Sequence, residues 1–154
     1  MFTTPTTLYR TFAIAEAISW TLLITALILR ATAGLAAAVM IGGGIHGFVF
    51  LCYGATAILV AKNNRWRPGP TILALVSAIV PYATIPVEIW LHRKGLLAGA
   101  WRRQATDDPR DRTWHDRLLR FFLMRPMLLG GLAVVAVAGL FTVLLVIGPP
   151  GGRA

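Results

Sequence analysis

Four mostly apolar stretches, at residues 9–29, 35–61, 71–91 and 127–147, alternate with short segments that hold most of the charge. Each is long enough to cross a bilayer, because an α-helix rises about 1.5 Å per residue and the hydrocarbon is about 30 Å thick. Such a chain needs lipid as its solvent. Of its 154 residues 56% are hydrophobic and only 14% are charged, too few and too clustered to coat a water-facing globule. The mean hydropathy of +0.69 agrees. The expected fold is therefore all-α, a polytopic membrane helical bundle.

The net charge of +9 does not point to nucleic acid. The basic residues flank the apolar stretches, where Lys and Arg mark the cytoplasmic side and meet anionic lipid. Cys52 is the one cysteine, so no internal disulfide and no thiolate metal site is expected. Residues 31–33 resemble a signal-peptidase site, but Glu16 interrupts the preceding apolar run and Arg30 adjoins the site, so the first stretch reads as a retained span.

The second stretch carries Gly42, Gly43, Gly44, Gly47 and Gly54. Gly43 and Gly47 form a Gly-x-x-x-Gly pair, and Gly54 extends the same face at helical spacing, together with Ala36 and Ala61. Small side chains let membrane helices approach closely, so Gly43, Gly47 and Gly54 are expected to pack against a neighbouring span. In the third stretch Pro81 and Pro86 each remove a backbone donor and predict a kink, with freed carbonyls that need partners.

Residues 96–126 form a basic loop in which Asp108, as N-cap, and Pro109 predict a helix start. Trp114, Leu118, Phe121 and Phe122 then share one face while Arg112, Asp116 and Arg120 point away, the pattern of a helix lying on a membrane surface. A fourth span and a Gly/Pro tail complete residues 127–154. The positive-inside rule places the loop before the fourth span in the cytoplasm, and four full crossings then put both termini outside. That leaves Lys62, Arg65 and Arg67 facing outward; a re-entrant third segment would instead place both basic connections inside.

Ionisable groups inside a span are costly, by ~2.5–3.5 kcal/mol on insertion scales. Glu16, His46 and Glu88 are therefore the candidate intramembrane polar site. On a structural reading Glu16 bonds to His46 and ties the first two helices, and Glu88 pairs with His92 one turn on. On a functional reading the three descend the bilayer as a proton ladder. The spacing Asp107-Asp108-x-x-Asp111, with His115 nearby, invites a third reading as a magnesium-dependent lipid-diphosphate site. Alternating Arg and Asp suits local ion pairs better, so no metal, cofactor or catalytic residue is expected.

The stretch from Arg10 to Lys94 resembles a family of small bacterial integral membrane proteins marked by a His-Gly pair, domain of unknown function 3817. The matching residues are Arg10, Phe12 and Glu16-Ala17-Ile18-Ser19, then Gly44-Ile45-His46-Gly47-Phe48-Val49-Phe50 with Tyr53. Arg65-Trp66, Pro81 and Glu88-Ile89-Trp90-Leu91 complete the pattern. The resemblance implies a three-helix membrane domain over residues 1–95 in a bacterial inner membrane, and it implies no activity. The expected function is a non-enzymatic module that associates through its glycine face with a second copy or another membrane protein, the lipid bilayer being its other partner. A small proton-linked transport component is the alternative.

Overall fold

The computed structural model describes residues 3–147. Among them all regular structure is helical, in the order α1 (Pro5–Ala33), α2 (Ala36–Asn63), α3 (Pro68–Ser77), α4 (Thr84–Arg93), a 3-10 turn (Pro109–Arg112), α5 (Trp114–Leu123) and α6 (Pro126–Ile147). The Gly/Pro tail from 148 onward lies outside the described residues. Three of the helices, α1, α2 and α6, are long and apolar enough to cross a membrane. The chain divides into two compact units, Met1–Gly99 and Ala100–Ala154.

In the first unit, α1 starts where the Thr4 hydroxyl accepts the Thr7 N–H and Pro5 supplies a preset first turn. It stops at Gly34, whose φ of 68° only glycine adopts at no cost, and whose N–H returns to the Arg30 carbonyl. With only Gly34 and Leu35 between them, α1 and α2 fold back as a helical hairpin. Their contacts run in antiparallel register, Tyr9 to Tyr53, Ser19 to His46 and Leu22 to Gly42. The two helices approach closely at Gly42, where an added Cβ would stand 2.9 Å from Ala26 Cβ and 3.2 Å from the Leu22 carbonyl oxygen.

The predicted stripe of Gly43, Gly47 and Gly54 lies elsewhere on α2. A helix turns ~100° per residue, so the stripe is centred roughly a quarter-turn from the face that carries Gly42, His46 and Tyr53. A Cβ on Gly43 would meet only Leu23 Cδ1, at 3.9 Å, and one on Gly54 would meet nothing within 4 Å. Gly47 is partly exposed. The close approach of α1 and α2 thus uses the neighbouring glycine.

The third apolar stretch is two helices, and the chain between them reverses. Pro81 cannot donate and disfavours helix in the residue before it, so α3 ends at Ser77; Tyr82 then takes a left-handed φ of 63° before α4 begins. Pro86 sits in the first turn of α4, where no donor is missed. Each helix of 10 residues spans ~15 Å, half the hydrocarbon.

Contacts of this stretch with α1 and α2 fix its path. At the turn, the Ala78 carbonyl accepts Trp20 Nε1–H at 3.2 Å and the Tyr82 hydroxyl meets Thr21 at 3.3 Å, near the middle of α1. Returning along α4, Thr84 donates to the Ala13 carbonyl and Glu88 meets Arg10. The chain just beyond α4 is then held at the end where α3 began: Asn64 and Trp66 both donate to the Leu96 carbonyl at 2.7 Å, and Thr6 donates to that of Leu97 at 2.6 Å. Residues 68–93 thus fold back as a helical hairpin, the form a re-entrant segment would take, so the basic connections at 62–67 and 92–94 lie at one end of the unit. This arrangement removes the charge conflict that four crossings would create.

In the second unit Asp108 caps the 3-10 turn, accepting the Arg110 N–H, while α5 begins separately after Thr113. The polar face of α5 is not solvated. Asp111, almost fully buried, is bound by Arg102 at 2.9 Å, by Arg120 at 3.1 Å and by the Thr106 N–H and hydroxyl. Asp116 reaches Arg102 at 3.4 Å. Covering that face leaves Trp114, Leu118 and Phe121 exposed on the other, with the Arg125 guanidinium stacked 4.1 Å over the Phe121 ring. Along α6 only Val137 is buried.

Candidate functional site

Buried polar side chains line the interior of the first unit from its basic end to the middle of α1 and α2. Glu16 on α1 is fully buried, and its Oε1 lies 3.9 Å from Nδ1 of His46 on α2. That distance is too long for a direct hydrogen bond. Ser19, one turn after Glu16, stands between them: its hydroxyl lies 2.9 Å from His46 Nδ1, 3.3 Å from Glu16 Oε2 and 2.9 Å from the Glu16 carbonyl. A serine hydroxyl has one proton, so it serves only one of these acceptors well at a time. The Trp20 ring, 4.4 Å from the imidazole between centroids, and Phe50, 6.3 Å from it, flank His46.

A second group lies nearer the basic end of the unit. The hydroxyls of Tyr9 and Tyr53 meet at 2.6 Å, and Tyr53 also reaches the Ala74 carbonyl at 3.0 Å and Ser77 at 3.1 Å. Both tyrosine side chains are wholly buried, and these bonds join α1, α2 and α3. Burial of a hydroxyl is tolerable only when it is so satisfied.

Glu88, on α4, does not pair with His92. Its Oε1 accepts from Arg10 Nε at 2.9 Å, across the bundle, with the carboxylate 8% exposed and the arginine side chain 49% exposed. His92 lies exposed at the basic end. The long flexible arginine at the mouth of the re-entrant hairpin can neutralise Glu88 while keeping part of its guanidinium in the headgroups. Glu16, His46 and Glu88 therefore belong to one interior but not to one contact.

Sequence reading missed the roles of Ser19, Tyr9 and Ser77. Serine and tyrosine occur freely in membrane helices, so only their coincidence on the Glu16 face of α1, at positions 9, 16 and 19, signals the packed polar seam. In the second unit the Asp-Asp-x-x-Asp motif is spent on arginines: Asp108 pairs with Arg110 at 2.8 Å and Asp111 with Arg102 and Arg120. Among the described residues no group of three or more His, Cys, Asp or Glu side chains is placed to hold a metal ion.

A family model described as "Domain of unknown function (DUF3817)" matches residues 6–93. That range coincides with the α1–α2 hairpin and the re-entrant pair. A Streptomyces coelicolor protein named "Putative membrane protein SCO5905" is 40% identical over 101 residues, covering 63% of this chain. The chain spans only 11% of that relative's length. No solved structure matches. Three helices of spanning length, together with this relative, make the chain a multi-pass membrane protein.

Proposed function

The chain belongs to the DUF3817 family, and we propose that it is a non-enzymatic accessory module of the bacterial inner membrane that binds a second copy or another membrane protein through the Gly43–Gly47–Gly54 face of α2. One observation carries the reading: an added Cβ on Gly54 would meet nothing within 4 Å and one on Gly43 only Leu23 Cδ1 at 3.9 Å, while Gly42, Tyr53, Thr56 and Val60 of the same helix are buried. Glycine gains nothing against lipid tails, whereas it lets a second backbone approach closely, so an open glycine stripe suits helix association. The match to a short part of a much longer relative also fits a module that works beside other domains. In the second unit, the exposed Trp114, Leu118 and Phe121 with flanking arginines suit a helix resting on anionic headgroups.

Gly54→Leu separates association from folding, because its own chain leaves room for the new side chain. Photo-crosslinking from α2 in native membranes is expected to capture a discrete partner or dimer in the wild type and to lose it in Gly54→Leu, with the helical content of both unchanged. Equal capture from both proteins, or capture of lipid alone, contradicts the proposal.

A further inference from the structure

The ionisable side chains inside the first unit all lie in one half of it. Arg10 and Glu88 mark the end at which the re-entrant hairpin enters and leaves, and Glu16 and His46 reach only to the middle of α1 and α2. Beyond them, residues 20–29 of α1 and 36–45 of α2 hold no ionisable group. A relay across the whole bilayer has nothing to run on in that half. A site reached from one side has all it needs.

Glu16 supplies the binding group. It is fully buried, its Oε1 accepts no hydrogen bond, and the one basic group beside it stands 3.9 Å away. An ionised carboxylate with a bare oxygen in hydrocarbon is costly, and a proton on that oxygen removes the cost. His46 is the second place for the same proton, and Ser19 lies between the two. The groups around them come from every packed element: Tyr9 and Arg10 from α1, Tyr53 from α2, the neutral Ser77 hydroxyl from α3, and Glu88 from α4. The Tyr9–Tyr53 hydroxyl pair lies on the same side of Glu16 as the Arg10–Glu88 pair, toward the basic end.

We propose that Glu16, Ser19 and His46 form a proton-binding site at mid-membrane, loaded only from the basic end of the unit. Loading adds one proton to the pair, carried either as a neutral carboxyl beside a neutral imidazole or as a carboxylate beside an imidazolium. Water at the Arg10–Glu88 end supplies it, and no electron moves. The site goes beyond the association proposed above and does not depend on it. It also replaces the transmembrane ladder with a dead-end pocket for a proton, so the chain by itself senses protons and does not conduct them.

The test uses the full chain in proteoliposomes of uniform orientation, with infrared difference spectra recorded after a pH jump on either face. A protonated-carboxyl C=O band is expected to respond to pH on the face bearing residues 62–67 and 92–94, to ignore the other face, and to vanish in Glu16→Gln. In unmodified protein, ¹⁵N resonances of the His46 ring should shift with the same midpoint as that band, so the result stands even where the variant folds poorly. A band that responds equally to both faces, that survives in folded Glu16→Gln, or that titrates independently of the His46 ring overturns the proposal.

Discussion

Asp111→Ala is expected to open the segment that packs on α5, raising its cleavage by trypsin about a hundredfold. In the native unit the Asp111 side chain is 2% exposed and neutralises Arg102 and Arg120, whose side chains are 19% and 11% exposed. Removing the carboxylate takes away an acidic partner of Arg120 and one of those of Arg102, which keeps Asp116 at 3.4 Å. Breaking such a buried cluster from one side costs about 3 kcal/mol, and each 1.4 kcal/mol is a factor of about ten in an equilibrium. Limited proteolysis timed against α6, which contains no Lys or Arg, supplies the readout. Asp111→Asn should open far less, because an amide oxygen still accepts from Thr106. Cleavage rates equal to wild type in Asp111→Ala would mean the arginines find solvent without it.

The second large effect is expected at Gly42. A leucine there must place its Cβ 2.9 Å from Ala26 Cβ and 3.2 Å from a backbone oxygen, and neither can swing aside as the tip of a flexible side chain would. Overpacking of this kind costs about 1–3 kcal/mol when neighbours can repack, and more when they are backbone. Gly42→Leu should therefore part α1 from α2 and break the Ser19–His46 bond, seen as a lowered unfolding temperature in detergent. Gly54→Leu, with open space around its Cβ, should unfold like the wild type. Equal stability of the two variants would show that the hairpin is held elsewhere.

The contrast between these glycines shows what was legible in the chain. Hydropathy alone gives α1, α2 and α6, since lipid imposes one length and one hydrogen-bonding solution on any spanning segment. The Gly-x-x-x-Gly pattern identified α2 as the glycine-bearing helix but not which glycine meets α1. That depends on a rotation about the helix axis which spacing within one helix does not encode. Pro81 predicted a disturbance in the third stretch; that the chain reverses there follows from Tyr82 taking a left-handed φ and from the Leu96 and Leu97 carbonyls being held by Asn64, Trp66 and Thr6. These contacts join residues about 30 or 90 positions apart, which local pattern does not show.

The polar residues follow the same rule. Glu16 and His46 stood out because charge inside a span is rare, and they do face each other. Glu88 was matched to His92 on a one-turn spacing, yet Arg10 on another helix holds it. A partner in the same helix can be guessed from sequence; one across a bundle appears only when the helices are in place. Asp116 and Arg120 likewise read as a solvated face until the loop carrying Arg102 and Asp111 folded over it.

The reversal of the chain between α3 and α4 is what gathers the basic connections at one end of the polar interior. Single cysteines at Arg67, Lys94 and Leu35, introduced in a Cys52→Ser background, can be labelled in sealed vesicles with a membrane-impermeant maleimide. Arg67→Cys and Lys94→Cys should react from one face and Leu35→Cys from the opposite face. Labelling of Arg67→Cys and Lys94→Cys from opposite faces would make residues 68–93 a crossing and contradict the account.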